Sequence, residues 1–207
     1  MKISNAVTSG TFSLDGGTWD VDNNIWVVGD DAECIVIDAA HDDAAIMEAV
    51  GEREVRAILL THAHDDHIGV AMKLKERTGA PIHLHPADRM LWDRVYPDQA
   101  PDQDLADGAR FPIGGGELVA IHTPGHSPGS VCYYAASANT LFSGDTLFNG
   151  GPGATGRSFS SFDQIIDSIR DKLLTLPPET VVLTGHGDST KIGDEAPHLD
   201  EWIARGH

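Results

Sequence analysis

The segment "VRAILLTHAHDDHIG", residues 55 to 69, runs from a continuous apolar stretch straight into three histidines and two aspartates. A short apolar run rich in branched side chains is the pattern of a strand buried on both faces. In an extended chain residues i and i+2 face the same way, whereas in a helix they sit about 200° apart. His62 and His64 therefore converge on one point only if "THAH" prolongs the strand. Asp66 and His67 follow where the chain turns into a helix, so they point elsewhere and can serve a second point close by. A fold that accommodates this segment must end a buried strand at a rigid edge where two sets of polar side chains meet.

The rest of the chain repeats this grammar. "NNIWVVGD" and "ECIVIDAA" read as strands before it, with a helical "DDAAIMEAVG" between the second and third. "IGVAMKLKERTG" has helical spacing and a terminal glycine, "APIHLHP" is a short strand stopped by proline, and a helix is expected near 87 to 95. The polar, proline-bearing stretch from 96 to 116 reads as a surface excursion. Strands "ELVAIHT", "SVCYYAA" and "NTLFSGD", a Gly-rich loop, a helix over 161–176, a strand "ETVVLTG" and a last helix over 195–206 complete the chain. Two strand-rich halves, each followed by helices, predict a layered arrangement of helices and sheets. Three further polar residues sit just past predicted strand ends: His126 in "TPGHSPGS", Asp145 in "SGDTLF" and His186 in "TGHGDST". Loops held by strand ends are where functional side chains concentrate, and these seven residues suffice for two adjacent metal sites.

Composition narrows the partners. Fourteen basic against thirty-two acidic residues give a net charge of −18, which repels nucleic acid. No stretch approaches the roughly 18 apolar residues of a membrane span, and the N-terminus lacks the apolar core of a signal peptide. The expected setting is cytoplasmic, without membrane association, and oligomeric state is left open. Cys34 and Cys132 stand alone in apolar runs, the pattern of buried thiols.

The ordered set HxHxDH at 62 to 67, the "PGHSPGS" histidine, the "GDTLF" aspartate and the C-terminal "GHG" resembles the metallo-β-lactamase-fold hydrolases, and within them the short glyoxalase II-like branch. The resemblance spans residues 24 to 192. It implies an α+β fold, a four-layer αββα sandwich with two mixed sheets and the metal site along one edge. It also implies that His62, His64 and His126 bind one divalent ion, Asp66, His67 and His186 a second, and that Asp145 bridges them. Zinc is the first expectation, with iron or manganese as alternatives. Asp66 would also accept a proton from the attacking water, and Asp38, ending "ECIVIDAA", would orient a ligating imidazole from behind. His41, His83, His85, His122, His198 and His207 match no ligand motif.

The resemblance implies hydrolysis of a thioester, such as S-lactoylglutathione or a related acyl conjugate of a small thiol. Family β-lactamases carry Cys or Ser in place of the bridging aspartate, which argues against β-lactams. A thiolate leaves readily, so no strong general acid is needed. Within "FNGGPGATGRSFSSF", the "GRSF" segment resembles the one that contacts the thiol moiety in glyoxalase II, making Arg157 a candidate carboxylate receptor and Phe159 a candidate packing surface. Twenty residues follow Gly187, fewer than the helical substrate domain of longer glyoxalase II proteins, so the expectation is one domain over 1–207. A lactonase or other esterase, a mononuclear-iron persulfide dioxygenase and a non-catalytic binding protein are the alternatives.

Overall fold

A long antiparallel hairpin opens the chain: β1 (Lys2–Leu14) and β2 (Gly17–Gly29) pair without a break from Lys2↔Gly29 to Leu14↔Gly17. The computed structural model describes residues 1–206, so His207 lies outside the described residues. Asp15 and Gly16, both at positive φ (52° and 79°), make the two-residue turn whose twist suits such a hairpin. The sequence reading missed β1 and the outer part of β2, and the reason is physical. The inward positions of β1 are Ala6, Thr8, Gly10, Phe12 and Leu14, and the first three are too small or too polar to produce a sustained hydropathy alternation. Gly10 is small because the His41 ring lies over it; a Cβ there would sit 2.2 Å from His41 Nδ1.

The chain continues through β3 (Glu33–Ile37), helix α1 (Asp43–Val50), β4 (Glu54–Leu59), the single turn α2 (Asp65–Ile68), α3 (Ala71–Thr78), β5 (Ile82–Leu84), α4 (Arg89–Val95) and β6 (Gln103–Asp104). Asp42 caps α1 by accepting from the amides of Ala44 and Ala45. The helix expected over 68–79 is α3, ended by Gly79 as expected but starting three residues later, because the chain pauses at Gly69 and Val70, where the Val70 amide donates to the Ala39 carbonyl at 3.0 Å. The excursion over 96–116 also holds more than expected. It contributes β6 and then β7 (Arg110–Ile113), which pairs with β8 (Gly116–His122).

After β8 come β9 (Val131–Ala135), β10 (Thr140–Gly144), a small hairpin of β11 (Leu147–Phe148) and β12 (Gly151–Pro152), α5 (Phe162–Ser168) continued by a π-helical turn, β13 (Val181–Thr184), β14 (Thr190–Lys191), α6 (Ile192–Glu195) and α7 (Leu199–Arg205). Two six-stranded sheets result, in the orders β1-β2-β3-β4-β5-β6 and β14-β13-β10-β9-β8-β7. Both are mixed: β3, β4, β5 and β6 run parallel in the first, β10 and β13 in the second.

Three apolar layers glue four structural layers together. In β3, Cys34 and Val36 face α1, α3 and α4 in the first core, while Ile35 and Ile37 face the other sheet in the second. Tyr133, Phe142 and Leu118 answer them from across the sandwich. Cys132, Leu141 and Val182 turn the other way, onto Ile165, Ile169 and Trp202 of the outer helices. The expected αββα sandwich is therefore the one observed. Both cysteines are free and buried in different cores, and burial pushes the Cys132 thiol up to about 11.

Several hydrogen bonds join the two sheets, among them Trp26 Nε1 to the Thr184 carbonyl at 3.0 Å and the Val131 amide to the Thr61 carbonyl at 2.7 Å. The buried Tyr133 hydroxyl donates to the Leu60 carbonyl at 2.7 Å, tying β9 to the residue that precedes "THAH". Tyr133→Phe leaves that carbonyl unpaired and is expected to lower stability by about 1–3 kcal/mol. The measurement is a urea titration, in which the midpoint falls with the slope unchanged.

Candidate metal centre

All seven candidate residues reach one edge of the sandwich, beyond the C-terminal ends of parallel strands. His62 and His64 continue β4 in extended conformation, His64 at φ −66° and ψ 148°. Asp66 and His67 then occupy the single turn α2. His126 lies between β8 and β9, while Asp145 and His186 follow β10 and β13, whose ends lie side by side. Gly185 permits the approach: a Cβ on it would lie 2.3 Å from Asp145 Oδ1 and 2.9 Å from the His67 ring.

Two groups of donor atoms form. His62 Nε2 lies 2.9 Å from His64 Nδ1, which lies 3.0 Å from His126 Nε2. His67 Nε2 lies 3.2 Å from His186 Nε2, and Asp66 Oδ2 is 3.3 Å from the latter. Asp145 stands between the groups, 3.3 Å from both His67 Nε2 and His186 Nε2 and 3.6 Å from His126 Nε2. Three sets of three such atoms, each set within 4.8 Å, could hold a metal ion among the described residues.

The outer ring nitrogens explain why the inner ones are aimed. His67 Nδ1 donates to Asp38 Oδ2 at 2.9 Å, His126 Nδ1 to the Ala154 carbonyl at 2.8 Å, and His186 Nδ1 to the Asp22 carbonyl at 2.7 Å. Thr61 Oγ1 donates to Asp38 Oδ2 at 2.8 Å and accepts from His62 Nδ1 at 3.0 Å. Each of these four imidazoles thus commits one N–H outward and aims its other nitrogen inward, where it offers a lone pair once the ring is neutral. Buried acceptors facing one another at such distances require positive charge between them. His64 Nε2 and Asp145 Oδ1 are buried without a hydrogen-bond partner. The donor set, neutral imidazoles plus carboxylates with oriented outer nitrogens, fits divalent metal ions.

Further polar residues, not anticipated from the sequence, support the groups. Asn23 Nδ2 donates to Asp66 Oδ2 at 3.2 Å, while its Oδ1 accepts from His41 Nε2 at 2.8 Å. Asp88, fully buried after β5, accepts from the amides of Ala63 and Gly129 and from the Ser127 hydroxyl. Its position just past a strand end is the same signal that marks His126, Asp145 and His186 in the sequence. His83 packs edge-on against Phe111, and His85 stacks on His122 at 4.0 Å, so none of these histidines joins the clusters.

A cleft of about 520 Å³ opens onto the clusters, lined by His64, Asp66, His126, Asp145 and His186 on its floor and by Phe12, Trp19 and Arg157 on its walls. The Arg157 guanidinium lies 3.8 Å from the centre of the Trp19 ring. Phe159 is not among the lining residues; it carries the Arg94 guanidinium over its ring at 5.2 Å. The aromatic wall comes from the hairpin.

The family model described as the metallo-beta-lactamase superfamily matches residues 18–186. "Probable metallo-hydrolase YqgX" of Bacillus subtilis (strain 168) is 35% identical over 195 residues, covering 86% of this chain and 92% of its own. Hydroxyacylglutathione hydrolase GloC of Haemophilus influenzae is 32% identical over 187 residues, covering 83% and 87%. The crystal structure of BLEG-1 B3 metallo-beta-lactamase superposes with a TM-score of 0.79 at 31% identity, over 94% of this chain and 99% of that one.

Charge within the clusters yields a measurable consequence. Burial opposes charge on His186, but the carboxylates of Asp145 and Asp66 prevail and hold it up to about 10. Burial, aided by His126, drives His64 down to about 3. At neutral pH, His186 in metal-stripped protein is therefore a doubly protonated imidazolium, and His64 is neutral. Coordination needs a free nitrogen lone pair, so metal uptake at pH 7 is expected to release at least one proton per chain and to weaken as pH falls. Calorimetric titration in buffers of differing ionisation enthalpy measures that release.

Proposed function

The chain belongs to the metallo-beta-lactamase superfamily, and from that membership we propose a dinuclear metal-dependent hydrolase that cleaves an acyl-thiol. The observation that carries the reading is the pair of buried His/Asp groups sharing Asp145 at the floor of a cleft with a guanidinium in its wall. In this reading His62, His64 and His126 hold one ion, Asp66, His67 and His186 the other, and Asp145 is common to both. Zinc is the first choice for this donor set, with iron and manganese accepting similar ligands. Two divalent ions would supply a water whose pKa falls from about 15.7 to about 7, and a Lewis acid for the scissile carbonyl.

The protein's own groups do the rest. Asn23 donates to Asp66 Oδ2 and so orients the carboxylate that would take the proton of the attacking water. Asp38 keeps His67 in one tautomer, and through Thr61 does the same for His62. Neither cysteine serves as nucleophile, since both are buried in the apolar cores. Trp19 and Phe12 pack on the substrate's apolar part. Arg157, stacked on Trp19, keeps its in-plane N–H groups for a carboxylate of the thiol carrier. Among the relatives, the Haemophilus hydroxyacylglutathione hydrolase supports a glutathione-type thioester.

The test is thiol release from S-lactoylglutathione and from acyl thioesters of coenzyme A and mycothiol, with metal content assayed. Release abolished by a chelator and restored by zinc is expected; silence across the panel with both ions bound overturns the thioesterase reading. Lactones, a chromogenic β-lactam and oxygen uptake with a persulfide then separate the remaining chemistries. Arg157→Ala is expected to raise KM about tenfold for a carboxylate-bearing thioester while kcat stays within about twofold, because the lost contact is made equally in ground and transition states.

A further inference from the structure

Resting on the dinuclear reading above, we propose that Asp88 is a positioning residue for the first ion alone, clasping the two loops that bring its three histidines together. His62 and His64 follow β4 of one sheet, whereas His126 lies between β8 and β9 of the other. The two sheets are tied just before these loops, by the Val131 amide to the Thr61 carbonyl at 2.7 Å and by Tyr133 to the Leu60 carbonyl, but those bonds stop short of the residues that flank His64 and His126. Asp88 spans the gap: its Oδ2 accepts from the Ala63 amide at 3.0 Å and from Ser127 Oγ at 2.7 Å, and its Oδ1 accepts from the Gly129 amide at 2.5 Å. Ala63 stands between His62 and His64, and Ser127 directly follows His126.

His64 makes the clasp necessary. It is the one imidazole of the five whose outer nitrogen has no hydrogen-bond partner, so its side chain is not held from behind. Its backbone must do that work, and the Ala63 amide preceding it is pinned by Asp88. The loop side is equally committed. Ser130 Oγ accepts from the Ser127 amide at 3.1 Å and meets its hydroxyl at 2.8 Å, and a Cβ on Gly129 would lie 2.7 Å from the Asp88 carboxyl carbon. These hydrogen bonds of Asp88 go to Ala63, Ser127 and Gly129, beside the first three histidines and not to Asp66, His67 or His186. Those are served by Asn23, by Asp38 and by the Asp22 carbonyl.

Asp88→Asn keeps the shape but replaces one acceptor oxygen with an amide that confronts a donor. Cobalt(II) titration of the metal-stripped full chain, followed by visible absorption and calorimetry, reads the two sites, with His126→Ala and His186→Ala as spectral references for losing the first and the second. The expected result is about 10- to 100-fold weaker uptake at the first site, a singly loaded spectrum matching His126→Ala, and second-site affinity within about threefold of wild type. Equal weakening at both sites, or at neither, overturns the proposal. Should Asp88→Asn fail to fold, Ser127→Ala removes one of the three bonds to Asp88, together with the hydroxyl contact to Ser130, and is expected to weaken the first site selectively by a smaller factor; equal loss at both sites again overturns it. Wild-type protein that takes up no cobalt defeats the dinuclear reading itself, a different outcome from two bound ions that Asp88→Asn fails to distinguish.

Discussion

The carboxylate of Asp38 is the interaction on which the site turns. It sits at the end of β3 in a left-handed backbone conformation, φ 65°, and is buried. From there it accepts from the Thr61 amide and hydroxyl, each at 2.8 Å, and from His67 Nδ1 at 2.9 Å. Those bonds join the ends of two adjacent parallel strands and set the angle at which the chain leaves β4. A buried carboxylate satisfied by three donors costs little, but removing it would strand all three. The unusual backbone conformation persists because the surrounding bonds over-determine it.

The sandwich converts that local tie into a cleft. Parallel strands β4, β10 and β13 end at the same edge, so residues far apart in sequence, at 62, 145 and 186, arrive together without long excursions. Ligand placement by strand ends is rigid, because both sheets are packed on two faces by continuous apolar cores. The hairpin, by contrast, brings Phe12 and Trp19 over the edge from outside the layers, and the loop after β12 meets them with Arg157.

What the sequence made legible follows from these same facts. Strands buried on both faces announce themselves as unbroken apolar runs, which is why β3, β4, β9, β10 and β13 were readable. The ligand-capable residues were readable because i, i+2 spacing and strand-end placement restrict where their side chains go. The hairpin was not, because its inner face carries Ala6, Thr8 and Gly10 in succession, a pattern with little hydropathy contrast. The late start of α3 was invisible because it depends on a bond from Val70 to Ala39 across the fold. The resemblance of "GRSF" to the glyoxalase II segment places Phe159 beside the substrate; in the structure it stands at φ 70°, with the Arg94 guanidinium over its ring.

The projecting end of the hairpin has one more implication. Around its turn, Ser13, Thr18, Trp19 and Asp20 are exposed, so exchanging them disturbs none of the three cores, provided Asp15 and Gly16 keep the positive φ of the turn. Yet the same few residues carry or flank the ring that stands over the cleft. A segment thus decoupled from folding is where a lineage, or a library, can rewrite substrate preference while the buried machinery below stays unchanged, since surface substitutions away from special features typically move stability by only about 0.5 kcal/mol.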